Sequence, residues 1–137
     1  MLDPERSLQL FLSAFTARDV AESLASFDDT TSLSVIRQVI ENQRLEVVGI
    51  RRSGIVSGWL SMQDVLEDRP PAQCRPFDDV SVIDEVASLN EVVQALNAAT
   101  CLFVRSFGEI SGLICRSHLQ RRRFRSTKRH RRIYFWR

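Results

Sequence analysis

The sequence predicts an α+β fold made of two copies of one β-α-β-β-α unit. Three observations predict it. Residues 53–60 align with residues 107–114 at an offset of 54, keeping both glycines and the serine between them. Apolar residues recur at helical spacing ahead of each copy, and a polar, proline-broken stretch, residues 67–73, separates the copies. A repeat of this length indicates a duplicated supersecondary unit, and the change of apolar period within it indicates helices and strands together.

Residues 1–16 are predicted to form an N-terminal helix that precedes the repeats. Asp3 and Pro4 suit the cap and the first turn of a helix. The apolar residues Leu8 and Leu12 then fall on one helical face. We expect this face to pack either on the repeats or on a second chain, because an apolar stripe is buried in a stable helix.

The first predicted unit spans residues 17–69. A short strand leads into a helix in which Ile36 and Ile40 recur at helical spacing. Two apolar or alternating runs, residues 45–50 and 55–60, then surround a glycine-containing turn, which is a hairpin signal. A second helix follows the hairpin.

The second predicted unit spans residues 70–121 and repeats this order. Ser88 and Glu91 stand at the spacing of a capping box, in which hydroxyl and carboxylate each accept a backbone amide at a helix start. Strands at 101–104 and 110–114 enclose the second turn. A basic, aromatic tail, residues 122–137, follows this unit.

Two such copies in register resemble a pair of cystathionine-β-synthase (CBS) domains, often called a Bateman module, over roughly residues 17–121. The matching segments are residues 47–50 and 54–64 in the first copy, and residues 102–104 and 108–114 in the second. The resemblance implies units packed sheet to sheet about a pseudo-twofold axis. It also implies a non-catalytic regulatory module that binds an adenine nucleotide or adenosyl compound in clefts between the units.

The candidate ligands are AMP, ADP, ATP and S-adenosylmethionine, and no cofactor is required. Members of the family usually form dimers of modules, so we expect a homodimer through the CBS units and the N-terminal helix. The alternative function is a structural or interaction module with empty clefts that acts through its basic tail.

Residues 58–64 match the ribose-phosphate signature of the family, which is a glycine, two apolar residues, Ser or Thr, two variable residues and Asp. Gly58 lets a base or ribose approach the strand backbone. Ser61, with the free amides of the following helix, is suited to a phosphate, and Asp64 is suited to ribose hydroxyls. The alternative needs no ligand: in it, Ser61 and Asp64 form a capping box, and Gly58 serves packing alone.

The second copy departs from this signature. Gly112 is kept, but Cys115 replaces the hydroxyl residue and His118 replaces the carboxylate. A thiol bonds weakly, and an imidazole does not accept from two hydroxyls as a carboxylate does. We therefore predict a degenerate second site and one good adenosine site per chain.

Four arginines beside the clefts are candidates for neutralising phosphate, namely Arg51, Arg52, Arg105 and Arg116. Surface arginines are commonly only solvated charges, so this alternative stays open for each of them.

No catalytic site and no metal site are predicted. Cys115 and His118 are spaced as a nucleophile and base, but Cys115 continues an apolar run, as a buried structural cysteine does. Cys101, Cys115 and His118 also lack the paired close ligands of structural zinc sites.

The three cysteines, Cys74, Cys101 and Cys115, are odd in number and lack a disulfide spacing. Reduced thiols in a cytoplasmic protein are therefore expected. The sequence also contains no apolar run of about 18 residues that would span a bilayer, and its first residues do not match an export signal.

The charges divide the chain into two parts. All seventeen acidic residues lie between Asp3 and Glu109, whereas nine cations and no acid occupy residues 121–137. Aromatic residues interleave these cations, so nucleic acid and anionic membranes are candidate partners of the tail. A solvated tail, or one docked on the acidic body, is the alternative.

Overall fold

A computed structural model describes residues 4–79, 81–121, 124–125 and 132–133 of the chain. The helices are α1 (Pro4–Ala14), α2 (Ala17–Val20), α3 (Leu33–Gln43), α4 (Met62–Leu66), α5 (Leu89–Ala95) and α6 (Arg116–Arg121), with a 3-10 helix at Pro71–Gln73. The strands are β1 (Glu22–Ser23), β2 (Ser26–Asp28), β3 (Val47–Arg52), β4 (Ile55–Ser61), β5 (Arg75–Pro76), β6 (Val82–Asp84), β7 (Cys101–Ser106), β8 (Glu109–Cys115), β9 (Phe124–Arg125) and β10 (Arg132–Ile133).

The first unit is a four-stranded sheet in the order β2-β3-β4-β5 with α3 and α4 on one face. β2 runs parallel to β3, and the helix α3 makes the crossover between them. Ile36 and Ile40 of α3 form a buried core with Val48, Leu60 and Val65. The predicted β-α-β-β-α order of this unit is confirmed.

The second unit repeats the arrangement in the order β6-β7-β8-β1. Ser88 and Glu91 form the predicted capping box at the start of α5. Leu89 of α5 packs with Leu102, Ile114 and the α6 residue Leu119 in a second buried core. The two strand orders match element for element, as a pseudo-twofold relation requires.

Each sheet takes its last strand from the other half of the sequence. β1 lies in the predicted first unit, residues 17–69, but pairs antiparallel with β8 of the second sheet. β5 lies in the predicted second unit, residues 70–121, but pairs antiparallel with β4 of the first. The boundaries predicted along the sequence therefore do not separate the two sheets in space.

Gly58 and Gly112, which occupy the same position in the two copies, lie where the exchanged strands β5 and β1 pair with the hairpins. A Cβ atom on Gly58 would overlap the Cys74 Sγ and lie 2.7 Å from the carbonyl oxygen of Arg75. A Cβ atom on Gly112 would lie 3.3 Å from the Ala21 Cβ and 3.4 Å from the Glu22 carbonyl oxygen at β1, and 3.2 Å from the Val104 Cβ of β7. The close approach of the paired strand explains why a residue without a Cβ atom occupies both positions.

Both hairpins turn through two residues of positive φ. These are Ser53 and Gly54 (φ 53° and 79°) and Phe107 and Gly108 (φ 51° and 80°). Positive φ at both central positions is the signature of a type I′ turn, whose twist matches that of the flanking strands. The predicted turn positions are confirmed.

The two sheets pack face to face through apolar side chains of β3, β4, β7 and β8. Phe103 is buried at the centre of this layer with Val47 and Leu113. The rings of Trp59 and Phe77 have their centroids 5.6 and 4.8 Å from that of Phe103. The aromatic layer joins the two units and borders the cleft between them.

The N-terminal helix packs on the second unit of its own chain. α1 lies against α5, and Leu12 enters the same buried core as Leu89. The backbone amide of Leu89 donates to the Phe15 carbonyl oxygen at 2.8 Å, which fixes the end of the helix to the repeat. Of the two packing surfaces expected for this helix, the repeats are the one observed.

In the tail, β9 and β10 pair antiparallel, with Phe124 opposite Ile133. The rest of residues 122–137, and with it the predicted nucleic-acid and membrane contacts, lies outside the described residues. Among the helices of the described ranges, none has the length and apolar character needed to cross a bilayer.

The strand crossing at Gly58 gives a test of the fold. Gly58→Ala is expected to destabilise the protein by about 1–3 kcal/mol, because the added methyl group must displace β5. Gly112→Ala should cost less, because its contacts leave more room. Denaturant unfolding of both variants measures the difference. An equal loss of stability in the two variants, or a larger loss in Gly112→Ala, would contradict the close approach of β5 to Gly58.

Candidate functional site

A cavity of about 550 Å³ opens between the two units. Its apolar wall consists of Val47, Trp59, Met62, Ala99 and Phe103. Its polar wall consists of Glu46, Ser61, Gln63, Ser81, Thr100 and Cys101. Both units contribute to it, because the starts of β3 and β7 and the end of β4 meet at this place.

The predicted signature, residues 58–64, lines this cavity with its middle residues but not with Gly58 or Asp64. Ser61 lines the cavity, but Asp64 does not. The backbone amide of Asp64 donates to Ser61 Oγ at 3.0 Å, and the backbone amide of Ser61 donates to Asp64 Oδ2 at 3.1 Å. This is the complete capping box of α4.

Asp64 is also held by Arg75 of the exchanged strand β5. Arg75 Nε donates to Asp64 Oδ2 and Nη2 donates to Oδ1, both at 2.8 Å. The Asp64 side chain is only 5% exposed. The hydrogen bonds from Arg75 therefore hold the pKa of Asp64 well below its usual value, although burial acts in the opposite direction.

The amides at the start of α4 are partly engaged as well. The backbone amide of Met62 donates to the carbonyl oxygen of Glu46 at 2.8 Å, and that of Asp64 donates to Ser61. Gly58 is not among the cavity residues and faces β5 instead. Of the three signature residues, the structure thus brings only Ser61 to the cavity.

None of the four candidate arginines is among the residues that line the cavity. Arg51 pairs with Asp28 at 3.2 Å on the edge of the first sheet. Arg52 donates to the Ala72 carbonyl oxygen at 2.8 Å. Arg105 is exposed near the second hairpin, and Arg116 donates to the Leu96 carbonyl oxygen.

The second signature keeps the placement of its glycine and differs from the first at Cys115. Gly112 pairs with Ser23 of β1, as Gly58 pairs with Pro76 of β5. Cys115 is fully buried at the end of β8. The side chain of His118 lies outside the described residues, so its predicted role stays a prediction.

The expectation that all cysteines are reduced is wrong for two of them. Cys101 and Cys115 are joined by a disulfide, and only Cys74 is free. The two residues lie directly opposite each other on β7 and β8, with their Cα atoms 4.1 Å apart. This is the close spacing of non-hydrogen-bonded pairs in an antiparallel ladder.

Glu46 is one of the cavity residues that were not predicted from the sequence. Its carboxylate accepts a hydrogen bond from Ser117 Oγ, and its Oε2 lies 3.8 Å from the Sγ of Cys101. Among the described residues that line the cavity, it is the one carboxylate, and none is Lys or Arg. The cavity is therefore a poor place for several phosphate charges and a good place for a hydroxyl or a cation.

Trp59 and Phe103 were also missed as lining residues. Trp59 stands inside the signature, at a position where the family pattern asks only for an apolar side chain. Phe103 aligns in the repeat with Gly49, so one unit fills with a ring the position that the other leaves small. This difference between the two copies was the feature of the sequence that indicated Phe103 as a lining residue.

Solved structures with the same fold include several CBS-domain proteins. The CBS domain of the bacterial CNNM/CorC family Mg²⁺ transporter in complex with ATP is 16% identical over 80% of this chain and 87% of that chain, with a TM-score of 0.64. A putative acetoin utilization protein (AcuB) from Vibrio cholerae is 19% identical over 75% and 85%, with a TM-score of 0.64. A hemolysin-like CBS-domain protein of Oenococcus oeni PSU is 12% identical over 82% and 92%, with a TM-score of 0.59.

No protein-family model and no curated protein sequence matches the chain. The structural similarities confirm the predicted fold, which is that of CBS-domain modules.

The Asp64–Arg75 pair gives a pH-dependent test. Because the pKa of Asp64 in the folded state lies below its usual value of 3.8, its contribution to stability is present above that pH and is lost as the pH falls below it. Asp64→Asn is expected to cost about 1–3 kcal/mol at neutral pH. The deficit relative to wild type should shrink below about pH 4.

The matched control is Asp68→Asn, since Asp68 is 76% exposed and pairs with Arg37. Surface pairs contribute less than about 1 kcal/mol. Denaturant unfolding across pH measures both variants. A deficit for Asp64→Asn that does not change with pH would contradict the role assigned to the ion pair.

Proposed function

We propose that this protein is a non-catalytic regulatory module that binds an adenosyl ligand in the cavity between its two CBS units. The observation that carries the proposal is the cavity itself, whose lining combines the aromatic side chains of Trp59 and Phe103 with polar side chains. Its volume falls within the range of small-molecule sites, and such sites combine apolar walls with a few polar groups that fix orientation. The structure of a CNNM/CorC neighbour with ATP supports an adenine-containing ligand.

The aromatic wall suits the base. Trp59 and Phe103 form a tilted pair, and the indole Nε1 of Trp59 donates to the Pro76 carbonyl oxygen at 3.2 Å. Trp59 lines the cavity with its polar atom already bonded and with the Arg75 guanidinium 5.8 Å from its ring centroid, so its remaining ring surface is the part proposed to contact the base. Stacking of a base on an aromatic ring contributes about 1–3 kcal/mol in nucleic-acid complexes.

The polar wall suits the ribose. Ser61 Oγ accepts from the Asp64 amide and keeps its own proton to donate. Thr100 adds a second hydroxyl at the rim. The carboxylate of Glu46 has the acceptor capacity for two ribose hydroxyls that the signature assigns to Asp64. In this proposal Glu46 takes that part, because Glu46 lines the cavity and Asp64 does not.

The charge of Glu46 selects among the candidate ligands. A carboxylate repels the phosphates of AMP, ADP and ATP at short range and attracts the sulfonium of S-adenosylmethionine. The candidate arginines that would offset this repulsion are not cavity residues. Adenosine and S-adenosylmethionine are therefore the preferred ligands.

A thermal-shift panel tests the ligand. We expect S-adenosylmethionine and adenosine to raise the melting temperature more than AMP, ADP or ATP at equal concentration, because ligands that bind the folded state stabilise it. Glu46→Gln should reduce the shift with S-adenosylmethionine and increase that with ATP. Glu41→Gln, which removes an exposed carboxylate on α3, is the matched control and should change neither.

Two outcomes would contradict the proposal. A larger shift with ATP than with S-adenosylmethionine would show that Glu46 does not set the preference. Unchanged melting with every ligand would favour the alternative, an interaction module with an empty cavity that acts through its basic tail.

A homodimer is the assembly that we propose for this module. Leu10 of α1 and Leu66 of α4 are each about half exposed, at 55% and 51%, which supports association through the N-terminal helix and the CBS units. Sedimentation velocity should show a dimer, and Leu10→Glu or Leu66→Glu should shift it toward the monomer. A wild-type monomer at the highest soluble concentration would contradict the expectation.

A further inference from the structure

The geometry points to a metal site in the wall of the cavity: Cys101, Cys115 and Glu46, with both cysteines reduced, bind one thiophilic divalent cation such as Zn²⁺ when the cavity holds no other ligand on Glu46. One sulfur from each cysteine and one carboxylate oxygen of Glu46 lie within 4.8 Å of one another. Two strands of the second unit supply the sulfurs, and Glu46, the residue just before β3 of the first unit, supplies the carboxylate. The site therefore joins the two units.

The distances suit a thiolate metal site. Zn²⁺ binds sulfur at about 2.3 Å and carboxylate oxygen at about 2.0–2.2 Å. In tetrahedral geometry two sulfurs on one ion lie about 3.8 Å apart. Cysteines facing each other across a ladder, with Cα atoms 4.1 Å apart, reach this separation by rotation of their side chains. The Glu46 Oε2 is already 3.8 Å from the Cys101 Sγ.

The surroundings of the cluster complete the site. Ser117 Oγ donates to Glu46 Oε1 and so orients the carboxylate, as outer partners of metal ligands do. Cys115 is fully buried, whereas Cys101 and Glu46 line the cavity and give an ion a route in. Two thiolates favour Zn²⁺ or Cd²⁺ over Mg²⁺ or Ca²⁺, which prefer oxygen ligands. Three protein ligands leave a fourth position open to water.

The disulfide and the metal site are alternative states of the same pair. A disulfide has no thiolate to offer, so the ion binds only after a dithiol or phosphine reductant has supplied two electrons and two protons have been taken up. Metal binding then releases the thiol protons.

A variant without the two metal-binding cysteines can be designed after the first unit. That unit carries Val47 and Ser61 opposite each other, where the second unit carries Cys101 and Cys115. The double variant Cys101→Val/Cys115→Ser therefore copies a pair that this fold already accommodates. Cys74→Ser removes the remaining cysteine, which is free and outside the cluster. Glu46→Gln keeps the shape of the side chain and removes the charged ligand.

The test uses the full chain, reduced with a phosphine, freed of metal and kept without oxygen and without nucleotide. Titration with Co²⁺ should give thiolate-to-metal charge-transfer absorption and the visible bands of tetrahedral Co²⁺, saturating at one ion per chain, and Zn²⁺ should abolish them. Cys74→Ser should behave as wild type. Glu46→Gln should weaken binding by roughly 10-fold or more, and the double variant should show neither absorption.

Circular dichroism of each variant separates loss of the site from loss of the fold. The proposal is overturned if the reduced wild type shows no thiolate absorption, if the folded double variant keeps it, or if Glu46→Gln binds as wild type does. Since no nucleotide is present, none of these results depends on the ligand proposed for the cavity.

Discussion

The arrangement of the cleft depends on one short strand, β5, which leaves its own half of the sequence and pairs with β4 of the first unit. Three contacts follow from that pairing. Arg75 reaches Asp64, the Pro76 carbonyl oxygen accepts from Trp59, and Phe77 packs its ring edge on Phe103. The pairing of β5 with β4 thus holds the helix α4, the Trp59 ring at the cavity and the apolar layer that joins the two units.

The pairing of β5 with β4 gives Gly58 and Asp64 structural roles in place of the ligand contacts that the signature predicts. Gly58 gives the space that β5 needs, and Asp64 binds the arginine that β5 brings. Both are used by the fold itself, which leaves Ser61 at the cavity. The carboxylate at the cavity belongs to Glu46, a residue from the loop before β3, and its negative charge is the reason for proposing a ligand without several phosphates.

The repeat, the hairpins and the capping boxes were predictable because each depends on residues close in sequence. The facing of Cys101 and Cys115 was not. Counted from the turn, where Ser106 pairs with Glu109, Cys101 would stand opposite Ile114. A bulge between Val104 and Arg105 shifts the register by one and brings Cys115 opposite instead.

The exchanged strands were also beyond prediction, because two-residue strands leave no periodic signal. The partners of Asp64 and of the cysteine pair come from outside the local segment, eleven residues away for Arg75 and 55 for Glu46. The roles of Asp64 and of the cysteine pair therefore depend on tertiary contacts, which a local sequence pattern does not encode.

The central claim is that an adenosyl ligand occupies the cavity between the two units. Amide and indole NMR spectra recorded during titration with S-adenosylmethionine test it most directly, because they report position as well as binding. The account predicts saturable shifts of the Trp59 indole and the Thr100 amide, with little change at the hairpin turns, Gly54 and Gly108. Shifts confined to the turns, or no shift at all, would contradict it.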